Sequence, residues 1–215
     1  MKLIAEVTQD VEVLEEATKT GKAMYLTGPF MEHSIQNKNG RMYSEAVMRK
    51  AVTRYVAEKV DKGCAYGELN HPPGPQINLE RACILINSLD VQNDGKVIGK
   101  ARITETPTGK IVKGLIESGA NLGVSSRGMG SLKEVNGVNE VQDDFRLVTA
   151  SDVVADPSAP NAFVKGIMEG VEWLYNEETG DWIEDIKKTY EQTATTRRKL
   201  EEAKLYLFNQ FIKSL

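Results

Sequence analysis

The sequence predicts an α+β fold: a mainly antiparallel β body with two or three helices, followed by a helical tail. Three observations carry this prediction. Several segments read as strands bounded by Gly, Pro and Asn turn signals. Two of them, Ile84–Val91 and Lys96–Thr104, flank Asn93-Asp94-Gly95, a strong hairpin signal. Helical periodicity is confined to a few stretches, without the regular βαβ alternation that gives a parallel sheet.

The elements follow in order. Residues 1–20 are acidic and lack a long period, so they read as an edge strand or a leader, possible pro-segment material ahead of the body. Residues 23–33 read as a strand, interrupted or bulged at Gly28-Pro29. Asn37-Lys38-Asn39-Gly40 is a turn. Ser44 caps a helix, with Glu45 in its first turn. Val47, Met48, Ala51, Val52, Tyr55, Val56 and Val60 give that helix an apolar stripe to about residue 60. Residues 64–70 form a short strand that stops at Pro72 and Pro73, which cannot donate ladder hydrogen bonds. Thr108 is placed as the cap of a helix from Gly109 to Glu117, ended by Gly119. Residues 122–135 and 139–155 read as strands, and Pro157-Ser158-Ala159-Pro160 closes the region. Residues 21–166 thus make the body and 167–215 a linker and tail. Within the tail, residues 185–213 read as one amphipathic helix with Leu200, Ala203, Leu207, Phe208 and Phe211 on a face, suited to its own domain, a partner or a second copy.

Composition narrows the function classes. The chain has 215 residues, 40% of them hydrophobic, which suits one moderate domain with an added tail. Its 27 Lys and Arg against 31 Asp and Glu give a net charge of −4. No basic block is present; Arg197, Arg198 and Lys199 are followed at once by Glu201 and Glu202, a solvated helix face. Direct nucleic-acid binding, which needs a basic face, is not expected. No apolar run is long enough to cross a bilayer, so no membrane role is expected. The opening Met1–Glu6 turns acidic too early for a signal-peptide core, which points to use inside a cell or inside something assembled there. Cys64 and Cys83 are too few for a disulfide framework. A zinc site from Cys64, Cys83, His71 and His33 would lack the closely spaced ligand pairs that preset such sites. No metal and no cofactor is therefore expected.

Two segments carry candidate chemistry: Gly67-Glu68-Leu69-Asn70-His71-Pro72-Pro73 and Gly123-Val124-Ser125-Ser126-Arg127-Gly128. A serine hydroxyl is a poor nucleophile until a base takes its proton. The chain has only two histidines, and His71 stands in the first segment, its backbone restricted by the prolines after it. The pairing to test is His71 with Ser125 or Ser126. Glycines at 123, 128 and 130 let main-chain N–H groups approach one point, as an oxyanion hole requires. A base histidine also needs a group to hold its tautomer. Asp152, an acid in an otherwise apolar strand, and Glu68, three residues before His71, are the candidates; a water or neutral side chain is the alternative. Asp156 reads as a turn residue, and His33 as structural.

These segments resemble the prohead core proteases of large tailed bacteriophages, serine proteases that mature the procapsid. The resemblance rests on residues 67–73, on 123–128 with Gly130-Ser131-Leu132, and on Pro157–Pro160 with Ala162; Asn37, Asn39, Arg41 and Tyr43 also fit. It covers about residues 23–165. It implies Ser125 as nucleophile, with Ser126 as its neighbour, and His71 as base. It implies that Arg127 and Gly128 help form the oxyanion site. The family is similar to herpesvirus capsid-maturation proteases, which implies a β-barrel wrapped by helices. It further implies an enzyme working inside the viral procapsid in the host cytoplasm, with scaffold, core and capsid proteins as substrates and a homo-oligomer as a possible state. The rival expectation is a non-enzymatic capsid-core or tube component on a related barrel.

The family resembled cuts after glutamate in an aliphatic-x-Glu pattern. Such triplets occur at Ile4-Ala5-Glu6, Leu14-Glu15-Glu16, Ile167-Met168-Glu169 and Leu200-Glu201-Glu202, all toward the ends, and at Leu115-Ile116-Glu117 inside a predicted helix. Glu6, Glu16 and Glu169 are the expected self-cleavage positions. A basic pocket for the substrate glutamate is implied, with Arg41, Arg81, Arg102, Arg127 and Arg146 as candidates.

Overall fold

Two antiparallel sheets supply the core and meet beside the residues singled out above. The structure, a computed structural model, describes residues 1–8, 11–18, 21–37, 39–72, 74–155, 173–175 and 182–184. In chain order the elements are β1 (Lys2–Thr8), β2 (Glu12–Thr18), β3 (Gly21–Glu32), β4 (Arg41–Met42) and α1 (Glu45–Tyr55), which a π-helical turn (Val56–Val60) continues. Then come β5 (Tyr66–Glu68), a 3-10 turn (Leu79–Arg81), β6 (Ala82–Val91), β7 (Lys96–Ile103) and α2 (Pro107–Glu117). The rest are β8 (Gly123–Gly130), β9 (Leu132–Val135), β10 (Val138–Val141), β11 (Arg146–Val154), β12 (Trp173–Tyr175) and β13 (Trp182–Glu184).

One sheet has the order β2-β3-β7-β6-β5 and another β1-β8-β11. A small third sheet, β4-β10-β9, contains the one parallel ladder among the described strands, between β4 and β10. An isolated parallel bridge, Leu69 to Val153, ties the end of β5 to β11 and so joins the two larger sheets. The α+β, mostly antiparallel prediction holds in this form. Among the described pairings no ladder closes the strands into a barrel.

The core lies between these sheets and α1. Phe30, Ile84, Ile86, Val97, Val124 and Val153 are buried there. The α1 stripe, Val47, Met48, Ala51, Val52 and Tyr55, packs into the same cluster. Burying each large apolar side chain stabilises the fold by about 1.5–3 kcal/mol. Ser44 caps α1 as predicted, its Oγ accepting from the Val47 N–H at 3.2 Å.

Three local readings change. The cap of α2 is Thr106, whose Oγ1 accepts from the Gly109 N–H, and Pro107 takes the first helical position. Proline's preset φ and missing N–H suit that position, so the helix starts earlier than Thr108. Thr108 instead donates to the Ala82 carbonyl at 2.7 Å. The stretch read as two strands after residue 122 contains four. The chain turns at Ser131, whose N–H and Oγ both donate to the Asp144 carboxylate, and Asn136-Gly137, both at positive φ, close a two-residue hairpin. Finally, β12 and β13 pair antiparallel, a ladder that the sequence reading missed, although Trp-Leu-Tyr and Trp-Ile-Glu flank a polar, Gly-containing stretch of sequence. The expected helix over 185–213, the Pro157–Pro160 turn, Asp156 and Glu169 lie outside the described residues.

Candidate active site

Strand β8 is buried along its whole length because it has a neighbour on each side, β1 and β11. Its Ser125 stands directly opposite Asp152 of β11. Between Thr149 and Asp152 the register shifts, a bulge beside Ser126 that re-aims the β11 side chains. Strand β5 delivers the third group. Asn70 takes a left-handed φ of 62°, which asparagine tolerates better than most residues, and its N–H donates to the Val153 carbonyl at 2.8 Å. This turn sets His71 over β8.

The result is one hydrogen-bonded line. His71 Nε2 lies 2.5 Å from Ser125 Oγ, and His71 Nδ1 lies 3.0 Å from Asp152 Oδ2. Donation of Nδ1–H to the carboxylate leaves the Nε2 lone pair facing the serine hydroxyl. Ser125 and Asp152 are fully buried, and the His71 side chain is 6% exposed. Of the two serines, only Ser125 faces the imidazole; strand alternation turns Ser126 to the other side of β8. Of the two acids, Asp152 meets the ring. His33 is buried elsewhere, between Ser34 and the Gln92 carbonyl, as its structural reading requires.

Behind this line sits a buried ion cluster that the sequence did not announce. Arg127 Nε donates to Asp152 Oδ2 at 2.5 Å, Nη2 contacts both Glu68 and Asp152, and Nη1 donates to the Gly74 carbonyl at 2.8 Å. The Glu68 N–H donates to Asp152 Oδ1 at 2.8 Å, and Glu68 Oε1 accepts from the Asn78 N–H at 3.1 Å. Burial pushes the Glu68 carboxyl up, against the pull of Arg127. The cluster holds the chain before His71 through Glu68 and the chain after it through Gly74 and Asn78. All three guanidinium nitrogens are engaged in these contacts. Gly128 has a packing reason to be small: a Cβ there would fall 2.3 Å from the Phe145 ring.

Strand β1 occupies the open side of β8. Its pairs run from Lys2 opposite Gly130 to Thr8 opposite Val124, with Glu6 opposite Ser126 and Val7 opposite Ser125. The Ser125 hydroxyl donates to the Glu6 carbonyl at 2.7 Å. One hydroxyl proton therefore faces two acceptors, that carbonyl and His71. The Glu6 carboxylate has its own partners: Asn39 Nδ2 at 2.8 Å, Tyr43 OH at 3.2 Å and Arg41 Nη1 at 3.4 Å. Tyr43 is pushed well above its ordinary pKa by burial and by Glu6, which keeps it a donor. Of the five arginines considered, Arg41 is the one that meets Glu6. Asn39 comes from a turn, with Gly40 at a φ of 72°, while Arg41 opens β4 and Tyr43 follows it, so their spacing of two in the chain gives little sign that they converge. Glu16 is placed differently, laddered to β3 in β2 and paired with Lys100.

A mainly antiparallel α+β body with a serine, an imidazole and a carboxylate in line has the make-up of a serine protease, and comparison with known proteins places the chain in that class. A family model, prohead core protein serine protease, matches residues 4–172, and the chain belongs to this family. It is 39% identical over 145 residues to the prohead core protein protease of Enterobacteria phage T4, a match covering 66% of this chain and 68% of that protein. Its fold is similar to the solved structure of the bacteriophage T4 capsid assembly protease, with a TM-score of 0.66 and 31% identity, covering 71% of this chain and 97% of that one. The chain is thus a serine protease of the phage prohead, and the expectation of a non-enzymatic core or tube protein is set aside.

Proposed function

We propose that the protein is an endopeptidase that matures the procapsid by cutting scaffold, core and capsid proteins after glutamate at aliphatic-x-Glu sites, and that it also cuts itself after Glu6. The observation that carries this reading is the position of Glu6, with its carbonyl on the Ser125 hydroxyl and its carboxylate among Asn39, Arg41 and Tyr43. Ile4, two residues earlier, is 1% exposed, so the aliphatic position of the triplet is a buried one. Glu6 is favoured over Glu16, which is tied into the β2–β3 ladder.

In this reading His71 Nε2 takes the Ser125 proton as Oγ bonds to the Glu6 carbonyl carbon. Asp152 steadies the imidazolium that forms. Main-chain N–H groups near Arg127 and Gly128 receive the oxyanion, each worth roughly 3 kcal/mol in the transition state. The Glu6–Val7 bond then breaks, and His71 gives its proton to the Val7 amine. Water attacks the acyl ester, His71 accepts its proton and returns it to Ser125, and Glu6 leaves as a carboxylate. The same reading takes in the barrel relationship to herpesvirus capsid proteases, residence inside the procapsid, and assembly with further copies.

The test is mass spectrometry of the purified active chain beside its Ser125→Ala and His71→Ala forms, each incubated with a capsid or scaffold precursor. Cuts after glutamate, including one at Glu6, are expected only in the active chain. Equal cutting by either variant would reject the assignment.

A further inference from the structure

We propose that the segment released by cutting at Glu6 stays in the groove as a bound product, so that its departure, and not hydrolysis, frees the protease for other substrates. This rests on the self-cleavage reading above. Every described side-chain contact that holds the segment lies on the amino side of the Glu6–Val7 bond. Five ladder positions, from Lys2 opposite Gly130 to Glu6 opposite Ser126, precede that bond. Leu3, Ile4 and Ala5 are 5%, 1% and 2% exposed. Leu3 packs with Met129, and Ile4 joins the main core. The Glu6 side chain keeps Asn39, Arg41 and Tyr43, while Asn39 and Arg41 also reach toward the Ala5 carbonyl, at 3.5 and 3.4 Å. Hydrolysis removes none of these. It adds a carboxylate at Glu6 where its carbonyl stood, against the Ser125 hydroxyl that already donates there, and a hydrogen bond to an ionised acceptor is stronger than one to a neutral carbonyl.

The groove is therefore a site for a peptide that ends in a free glutamate and carries an aliphatic residue two positions before it. Asn39, Arg41 and Tyr43 are the subsite that reads the last side chain. They set specificity by leaving buried donors unpaired when any uncharged residue enters.

The experiment uses the full chain after it has cut itself, freed of the segment by dilution and gel filtration. An internally quenched peptide with an aliphatic-x-Glu site is the substrate. The synthetic peptide Met-Lys-Leu-Ile-Ala-Glu with a free carboxylate is the probe. Competitive inhibition is expected, with KM rising and kcat unchanged. The same peptide ending in Gln should be weaker by ~10-fold or more. Before dilution, the segment should co-elute with the cut chain. An Arg41→Met chain should raise the substrate KM and the probe's inhibition constant by a similar factor. A chain that cuts after glutamate yet is not inhibited by the probe at a hundred times the substrate KM overturns the inference and leaves the function standing. Equal inhibition by the Gln-ended peptide overturns the glutamate subsite. A full chain that makes no cut at all removes the function and this inference together.

Discussion

Asp152 shares one carboxylate between His71 and Arg127, and Arg127 is shared in turn with Glu68. Such a cluster is expensive to break, because each member is desolvated and depends on the others. Arg127→Met would leave Glu68 and Asp152 facing each other without a cation. A loss of about 3–5 kcal/mol is expected, read from urea unfolding. Adding Glu68→Gln to that variant should restore part of the loss, and a coupling below ~0.5 kcal/mol would argue against the pairing. The same residues mark what the sequence could tell. His71 and Ser125 were legible because the chain has few histidines and sets its serine among glycines. Asp152 was legible as a buried acid. The role of Arg127 was not, since sequence spacing does not reveal that β5, β8 and β11 converge. Arg41 stood among five candidates for the same reason: its partner, Glu6, lies 35 residues earlier in the chain, on a strand that pairs with β8.

At the scale of elements, the site depends on how closely β5 approaches β11. Gly67 is where they touch: a Cβ there would lie 1.9 Å from the Ser151 carbonyl oxygen and 2.6 Å from Ile84. The first is main chain and cannot swing aside. Gly67→Ala should therefore push β5 from β11, displace the His71 loop, and cost about 1–3 kcal/mol. Parallel losses in thermal stability and in turnover are expected, and an unchanged melting temperature would refute the close approach. Helices and hairpins with local signals, α1 with its Ser44 cap and the β6–β7 turn, were readable from the chain alone. The cap of α2 was misplaced by two residues because Thr106 and Thr108 are both plausible caps and only Pro107 decides between them. The four strands after residue 122 ran together because turns as short as the one at Ser131 leave little compositional trace.

The whole molecule buries one thiol and leaves the other partly open. Cys83 is fully enclosed between β5 and the core, and burial pushes it up to about 12, with the Asp152 charge adding to the shift. Its thiolate is therefore suppressed near pH 8 while the chain is folded, and unfolding removes the suppression. Titration with Ellman's reagent at that pH should show one reactive thiol, Cys64, in the native protein and two in denaturant. Rapid reaction of both in the folded chain would contradict the enclosed core. As the pH rises from about 9 toward 12, the unfolded chain gains by ionising this thiol first, so stability should decline across that window.

Losing β1 would also change what β8 is. A strand with neighbours on both sides would become one with a free flank, a row of main-chain N–H and C=O groups awaiting partners. Recognition would then begin as strand addition: backbone pairing favours any stretch that can extend, and the two side-chain sites choose among such stretches. Under the function proposed here, the enzyme selects for local unfolding before it selects for glutamate, so tethers and linkers are cut while the folded shells they join are spared.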